Sequence, residues 1–384
     1  MTTSTGVTRE ATPEATATWP QALAWRMERQ LLDPTGAAPA ADVVRRLGAV
    51  LSMDDSLADL AVCTRSSTAR PGDLAAAVAD GSVIKAFAYR GAVHYLAPED
   101  AGIYLALRSA GRQWELKSWV DHYRLGPQDW PDFRAAVREA LGDASLTVTE
   151  LGDALTRHPA YAHLRTVFDE GPWTLLKPLS WQGDLSLGPL RDGRITFQRL
   201  DRNERWAGIP DLEDAGPRAV AAYFRSYGPA TLDRVHYWLG NGLSAGRRRL
   251  DRWIAGLGDG LVPVDIEGTT AYAMRQDVES LTAATPSEVV RLLPGHDQWV
   301  MGAGTKDVHV IPPPLREAVT RKANPVLAGG VVRGTWARKH DELTVTWADR
   351  APAAEGIEQE VARLGDLLGV QLRVRVEGHG RGSS

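Results

Sequence analysis

The feature that most restricts the fold of this chain is a repeated order of elements, in which short helices are followed by a β-hairpin. Residues 185–200 (LSLGPLRDGRITFQRL) alternate between apolar and polar side chains around Asp192-Gly193, and residues 261–274 (LVPVDIEGTTAYAM) do so around Glu267-Gly268. Such alternation about a turn dipeptide predicts two β-hairpins. Short helical segments precede both, and they also precede a similar stretch at residues 83–100. This order is typical of winged helix-turn-helix units and recurs without an exact repeat of residues.

After residue 289 the sequence no longer follows the order of short helices and a hairpin. Residues 326–347 are predicted to form a three-stranded meander, followed by a helix at 358–367 and a strand at 370–376. A chain of 384 residues is long for one domain. We therefore predict an α+β fold of tandem winged helix-turn-helix units and a C-terminal β-rich module. The predicted boundaries are a disordered tail at 1–18, a first winged-helix unit with extra helices at 19–140, a second unit at 141–210, a third at 211–285, a C-terminal α+β module at 286–376 and a tail at 377–384.

Composition excludes several classes of protein. The single cysteine, Cys63, allows neither a disulfide framework nor a cysteine zinc site, and the nine histidines show no metal-ligand spacing. We therefore predict no metal and no cofactor. The N-terminus lacks the pattern of a secretory signal, and no apolar run approaches the roughly 20 residues of a membrane span. These features predict a cytoplasmic protein. The formal net charge of −4 means that binding to nucleic acid needs cations gathered on one face.

Residues 83–100 (VIKAFAYRGAVHYLAPED) place one guanidinium and one imidazole in an otherwise apolar stretch. Arg90 can bind a phosphate through two hydrogen bonds, and His94 can donate or accept a proton near neutral pH. The two side chains are therefore candidates for presenting polar groups to an anionic ligand. The alternative is an edge hairpin with a surface arginine and a hydrogen-bonded structural histidine.

Five separated segments, in order, carry a resemblance to a known family: RGAVHYLAPED, LLKPLSWQGDLSLGP, RITFQRLD, YGPATLDRVHYWLG and LLPGHDQWVMG. Together they resemble the AlkZ/YcaQ-type winged-helix DNA glycosylases over about residues 22–376. The resemblance implies a concave surface for double-stranded DNA, formed by tandem winged-helix units and a β-rich C-terminal part. Active members excise alkylated purines, and some unhook interstrand crosslinks made by antibiotics, without a metal. It leads us to expect a monomer that associates with the nucleoid when bound to DNA, which is possibly alkylated.

The catalytic motif of that family is altered in this chain. The resemblance implies Gln-x-Gln or Gln-x-Asp after the helix at 41–50, where this chain has Leu51, Ser52 and Met53. Leucine and methionine can neither hold a water nor stabilise an oxocarbenium-like sugar. The next residues, Asp54 and Asp55, are candidate substitutes. The favoured alternative is that they cap the helix starting near residue 57, because Asp is a preferred N-cap.

Further residues are candidates for contacts with DNA. The resemblance places Arg90 and His94 on the DNA side, with His94 near the lesion. Basic, amide and aromatic side chains elsewhere suit phosphates, base edges or stacking. They are Lys177, Trp181, Gln182, Arg191, Arg194, Arg247, Arg248 and Arg249. Trp181 could equally belong to the core, and the three consecutive arginines cannot all face the same way on a helix.

Three other stretches resemble known functional motifs. Gly242–Gly246 matches the Gly-x-Ser-x-Gly pattern of hydrolases, but a helix precedes it where that motif needs a strand. Ser244 is instead predicted to cap the following helix. Gly302–Lys306 lacks the ending and spacing of a phosphate loop. His296-Asp297 occupies the place where the resemblance implies Phe-Asp, and is either a polar pair near the groove or, through Asp297, a helix cap.

Three functions remain open at this stage. The first is a DNA-repair or self-resistance glycosylase with an altered catalytic loop. The second is a non-catalytic lesion binder or transcriptional regulator, and the third is a protein-interaction module that uses the same scaffold without DNA. The first two predict DNA binding that weakens as salt rises, because contacts with phosphates release counterions.

Overall fold

A computed structural model describes residues 12–348 and 354–378. The predicted α+β class is confirmed, because these residues form helices and three β-sheets. The helices are α1 (Trp19–Arg29), α2 (Ala40–Leu47), α3 (Asp55–Cys63), α4 (Asp73–Ala79), α5 (Pro98–Ser109), α6 (Lys117–Tyr123), α7 (Trp130–Leu141), α8 (Val148–Thr156), α9 (Arg165–Glu170), α10 (Trp173–Trp181), α11 (Leu212–Tyr227), α12 (Leu232–Val235), α13 (Arg247–Gly256), α14 (Val278–Thr282), α15 (Gln298–Ala303), α16 (Arg316–Thr320) and α17 (Ala354–Leu368). The strands are β1 (Ala15–Ala17), β2 (Val50–Leu51), β3 (Ile84–Phe87), β4 (Val93–Leu96), β5 (Leu146–Thr147), β6 (Leu185–Leu187), β7 (Thr196–Arg199), β8 (Leu261–Ile266), β9 (Thr269–Met274), β10 (Val290–Leu292), β11 (Asn324–Ala328), β12 (Val331–Lys339), β13 (Glu342–Trp347) and β14 (Arg373–Gly378).

The hairpins of the first two predicted units share one six-stranded sheet, of order β2-β4-β3-β6-β7-β5. The two hairpins join where Lys85 of β3 pairs with Leu187 of β6. The sheet therefore crosses the predicted boundary at residues 140 and 141. The reason is that β3 has an open edge after pairing with β4, and the later hairpin covers it. This sheet brings the ends of segments that are far apart in the chain close together.

The third hairpin, β8–β9, pairs through β8 with the N-terminal strand β1 in parallel register. The predicted disordered tail at 1–18 is therefore wrong for residues 15–17, and residues 1–11 lie outside the described part of the chain. Helix α1 begins directly after β1, where Thr18 and Gln21 form a reciprocal capping box. A three-residue Ala-Thr-Ala strand has no periodicity of its own, so only its tertiary partner reveals it.

The C-terminal sheet has the order β10-β11-β12-β13-β14. Strands β11, β12 and β13 form the predicted antiparallel meander, and β14 pairs with β13 in parallel after α17. Two residues of the predicted tail at 377–384, Glu377 and Gly378, belong to β14. Residues 379–384 lie outside the described residues.

A buried ion pair ties the end of α3 to the loop before α15. The guanidinium of Arg65 donates to both carboxylate oxygens of Asp297 at 2.6 and 2.7 Å, and both side chains are fully buried. Removing one partner of such a pair costs roughly 3–5 kcal/mol, because the other charge remains buried. The pair therefore anchors the C-terminal end of α3 to the loop at residues 295–298.

Two further properties concern the described residues only. None of their helices is long and apolar enough to cross a membrane. Within the same residues, no three side chains of the metal-ligating types gather where they could hold an ion.

Candidate functional site

A small pocket lies between the loop that carries the altered motif and the loop before α15. Its lining includes Leu51, Met53 and Asp54 on one side and His296 and Gln298 on the other, together with Lys322. The pocket has a volume of about 10 Å³, on the order of the space that one water molecule needs. Met53 stands at the surface, since 67% of it is exposed. We call this space the loop pocket.

Asp54 is the N-cap of α3. Its carboxylate accepts hydrogen bonds from the backbone N–H groups of Ser56 at 3.1 Å and Leu57 at 3.4 Å, and from the Ser56 hydroxyl at 2.6 Å. These bonds, with the hydroxyl first, lower the pKa of Asp54, and Lys322 at 3.4 Å adds to the effect. The capping interpretation is thus confirmed. A catalytic role for Asp54 stays a prediction, and the group is ionised at neutral pH.

Asp55 is turned to another partner. Its two carboxylate oxygens lie 2.8 and 2.7 Å from the ammonium of Lys85 on β3. Burial acts to raise the pKa of Asp55, but hydrogen bonds from Lys85 and Ser52 outweigh it, and the pKa is lowered. Asp55 does not line the loop pocket. Its predicted catalytic role would therefore require the carboxylate to leave Lys85.

His94 lies in the middle strand of a three-strand group, opposite Leu51 of β2. It is 3% exposed, and its Nδ1 lies 3.0 Å from the carbonyl oxygen of Ala92. Burial lowers the pKa of His94 to about 4, so the ring is neutral at pH 7. This arrangement corresponds to the structural alternative. Almost none of its surface is free, and a place for His94 near a lesion stays a prediction.

Arg90, in contrast, is exposed in the turn between β3 and β4. It has a φ of +54°, and its guanidinium lies over the ring of Tyr237 at 4.7 Å from the centroid. Tyr237 belongs to a π-helical segment at His236–Asn241, a wide helical turn that is common at functional sites. The stacking orients Arg90 and leaves it without an ion pair to any acidic side chain of the described residues.

Lys177 of α10 lies next to this turn. A Cβ atom at Gly91 would be 3.3 Å from the ammonium of Lys177, which also lies 5.9 Å from the ring centroid of Phe87. Burial, followed by the charge of Arg108, lowers the pKa of Lys177. Lys177 and Arg90 are therefore neighbours, although 87 positions separate them in the chain (177 − 90).

Arg108 connects Lys177 to the loop before α13. Its guanidinium lies 4.0 Å from the ring centroid of Trp181 and donates to the Ser244 hydroxyl at 3.1 Å. Trp181 is 1% exposed, which corrects its assignment as a contact with DNA and places it in the core. The prediction that Ser244 caps α13 is wrong. The N-cap of α13 is Gly246, and the Ser244 hydroxyl accepts a hydrogen bond from Arg108 instead.

The arginine triplet opens α13 directly after this loop. Arg247 and Arg248 are exposed, and neither forms an ion pair with an acidic side chain in the described part of the chain. Arg249 is half-buried and donates to the carbonyl of Ala245 at 3.3 Å. The triplet thus splits as a helix requires, with part of it turned back to the protein. We call the exposed or half-exposed cations Arg90, Lys177, Arg247 and Arg248 the cationic face.

The remaining residues predicted to contact DNA lie away from the cationic face or already form hydrogen bonds or ion pairs within the protein. Arg191 forms an ion pair with Glu150 and donates to the carbonyl of Ser145 at 3.1 Å. Arg194 is exposed on the other side of the same turn. Gln182 ends α10 and donates to the carbonyl of Pro178 at 3.1 Å. None of the contacts described above connects this group to the cationic face.

Four residues of these sites escaped the sequence analysis: Arg108, Tyr237, Gln298 and Lys322. Only Arg108 carries a local signal, because it is the single charge late in an apolar helix and such a charge requires a partner. The other three become visible only when distant segments meet.

Comparison with known proteins adds to this geometry. The profile of a family described as DNA glycosylase AlkZ-like matches residues 44–367. An interstrand DNA cross-link repair glycosylase from Streptomyces sahachiroi is 35% identical over 370 residues, which cover 94% of this chain and 99% of that protein. The solved structure of the S. sahachiroi DNA glycosylase AlkZ superposes with a TM-score of 0.88 at 34% identity, covering 94% of this chain and all of that one. The family match extends over most of the chain, and the structural match covers nearly all of it. The chain therefore belongs to the AlkZ-like DNA glycosylase family.

Proposed function

We propose that this protein binds double-stranded DNA and acts as an N-glycosylase on alkylated purines or on crosslinks formed through them. The observation that carries the proposal is the cationic face, in which three segments distant in the chain present cations without acidic partners in the described residues. Free guanidinium and ammonium groups suit phosphate oxygens. They also answer the objection from the net charge of −4, since binding depends on the local arrangement of charge.

The family context supports the choice of lesion. The relative from S. sahachiroi is described as a cross-link repair glycosylase. A purine alkylated at N3 or N7 is a cationic leaving group, so the protein needs only to position a water and stabilise positive charge on the sugar. The loop pocket has room for such a water, and Asp54 beside it is anionic at neutral pH. We further propose that the protein acts as a monomer in the cytoplasm, without a metal or cofactor.

The test measures binding and chemistry on the same duplexes. Fluorescence anisotropy with plain and N7- or N3-alkylated duplexes, over a series of salt concentrations, should give a dissociation constant that rises with salt. Chromatography of the same mixtures should detect release of the alkylated base from the modified duplex alone, with or without a chelator. No binding even at low salt would remove the proposal.

A second candidate is a lesion binder or regulator without catalysis. The apolar side chains of Leu51 and Met53 at the motif positions favour it, because they supply no hydrogen bond to a water. Tight binding to alkylated duplex with no release of base under single-turnover conditions would establish this candidate.

A further inference from the structure

We propose that His296 is the catalytic base of this protein, and that it takes the proton from the water that displaces the alkylated purine while Gln298 holds that water. This inference rests on the glycosylase function proposed above and names the residue that performs its chemistry. It moves the chemistry from the altered motif to the opposite wall of the loop pocket.

The first support is that both side chains line the loop pocket and each has a nitrogen without a partner. Nδ1 of His296 and Nε2 of Gln298 are buried and accept or donate no hydrogen bond within the described residues. A buried polar atom without a partner costs roughly 1–3 kcal/mol. Such a cost is removed by an ordered water, which typically takes about three hydrogen bonds from groups of this kind.

The hydrogen bonds made by the other polar atoms of His296 and Gln298 determine which side chain can accept a hydrogen bond in the loop pocket and which can donate one. The backbone of Thr320 forms a hydrogen bond with His296 that raises the pKa of the ring, so the backbone group is an acceptor, as a carbonyl oxygen is. Because Nδ1 has no partner, this bond is made by the other ring nitrogen, Nε2. That nitrogen therefore carries the proton of the neutral ring, and Nδ1 carries the lone pair. The carboxamide oxygen of Gln298 lies 3.5 Å from the hydroxyl of Tyr227, which leaves its N–H groups for the pocket. An acceptor and a donor thus line a space that fits one water.

The backbone is strained at the same position. His296 has a φ of +61°, in the left-handed region that disfavours residues with a side chain. Strain of this kind costs on the order of 1–3 kcal/mol and is concentrated at functional sites. The neighbouring Asp297 cannot serve as the base, because its carboxylate is held by Arg65 and by the N–H of Trp299.

Burial and a neighbouring positive charge keep the imidazole of His296 neutral. Burial, and then the charge of Lys322, lower the pKa of His296 below its ordinary value of 6.5. The charged groups that face it are Lys322 and Asp54, which lie 3.4 Å from each other. At pH 7 the imidazole is therefore a base ready to accept a proton.

The reaction balances without any further reagent. The O–H bond of the water breaks and its proton goes to Nδ1 of His296. The water oxygen forms a bond to C1′ of the sugar as the glycosidic C1′–N bond breaks. The electron pair of that bond stays with the purine and neutralises its positive charge.

Single-turnover release of alkylated base tests the proposal in three variants. His296→Phe, the residue type implied by the family resemblance, should lower the rate by about 100-fold or more, the usual contribution of a general base. Its DNA affinity, followed by anisotropy, should change by less than about twofold. The matched control is His340→Phe, because His340 also has a positive φ of +57° but is exposed in a distant turn. It should leave both quantities unchanged.

The His296→Gly variant distinguishes a catalytic histidine from a purely structural one, because only a catalytic role can be replaced by free imidazole. Glycine relaxes the positive φ and leaves space for a free imidazole. Added imidazole should restore release to this variant, while the wild-type rate should fall in acid with an inflection below pH 6.5. Wild-type activity that persists in His296→Phe, or a His296→Gly variant that imidazole fails to restore, would overturn the role of His296 and leave the glycosylase proposal standing. Binding without any release by the wild type would overturn both.

Discussion

Two arginine-bearing regions of this protein look alike in sequence and differ in structure. At the start of α13, Arg247 and Arg248 are exposed and have no acidic partner among the described residues. At the tip of the β6–β7 hairpin, Arg191 is paired with Glu150, whose carboxylate also closes the capping box of α8. An arginine that is already paired offers a phosphate fewer free N–H groups, and the carboxylate beside it repels the phosphate. The comparison teaches that the pairing of cations, rather than their number, locates a DNA-binding face.

The largest effect is expected at the unpaired region. Arg247→Ala/Arg248→Ala removes two free charges and keeps a good helix former at both positions. We expect affinity for duplex DNA to fall about tenfold or more near 0.1 M salt, and the slope of log K against log salt to decrease by about 2. Anisotropy titrations at four or five salt concentrations measure both.

The matched control for that variant is Arg373→Ala/Arg375→Ala. These two arginines of β14 are also exposed, but Arg373 is paired with Asp341 in the turn between β12 and β13, and Arg375 with Glu377 of β14. The control should leave the slope unchanged. Equal losses in the two double variants would show that binding depends on total charge alone, and the comparison would fail.

A smaller effect is expected at Arg90. Arg90→Gly removes one charge, so the slope should decrease by about 1 and affinity should fall several-fold. Relaxing the positive φ offsets the loss of the contact with Tyr237, and the free energy of unfolding should change by less than about 1 kcal/mol. Arg124→Gly is the control, because Arg124 is exposed with a φ of +51° at the end of α6. If both glycine variants bind DNA as the wild type does, Arg90 has no place in the face.

The smallest effect is expected at the hairpin tip. Arg191→Ala should change affinity by less than about twofold. Glu150→Gln keeps a residue that can close the capping box but frees Arg191, so affinity should rise slightly. Hydrogen bonds from Thr147 and then Arg191 lower the pKa of Glu150 to about 2. The pair is therefore intact above about pH 3, and the contribution of Arg191 should not vary between pH 5 and 8. A large loss for Arg191→Ala would reverse the comparison.

Acid should destabilise the fold through His94. Its folded pKa of about 4 lies below its ordinary value of 6.5, so the unfolded chain binds the extra proton between these pH values. This contribution to stability is complete above pH 6.5 and is lost as the pH falls toward 4, by roughly 3 kcal/mol. Urea unfolding at pH 7 and pH 4.5 should show a smaller acid loss for His94→Gln than for the wild type. An identical loss in both would contradict the burial of a neutral ring.

The sequence predicts what local chemistry determines. The hairpin turns at Asp192-Gly193 and Glu267-Gly268 form as predicted, because all four residues adopt the positive φ that such turns require. The cap at Asp54 follows from the same kind of rule.

Partners that are distant in the chain could not be predicted in this way. The pairing of Lys85 with Leu187 joins the hairpins of the first two predicted units into one sheet, and no local sequence pattern near either residue predicts it. Burial of His94 and Trp181 likewise depends on which strands and helices cover them. The unpartnered nitrogens of His296 and Gln298 exist only because the fold closes the loop pocket around them.

Hydrogen exchange of the intact protein, with and without a bound duplex, tests the cationic face most directly. Bound DNA should slow exchange at residues 88–92, 173–178 and 246–250 together, and should leave exchange at residues 189–195, at the hairpin tip, unchanged. Protection confined to the hairpin tip, with the three other segments exchanging as in the free protein, would contradict this prediction.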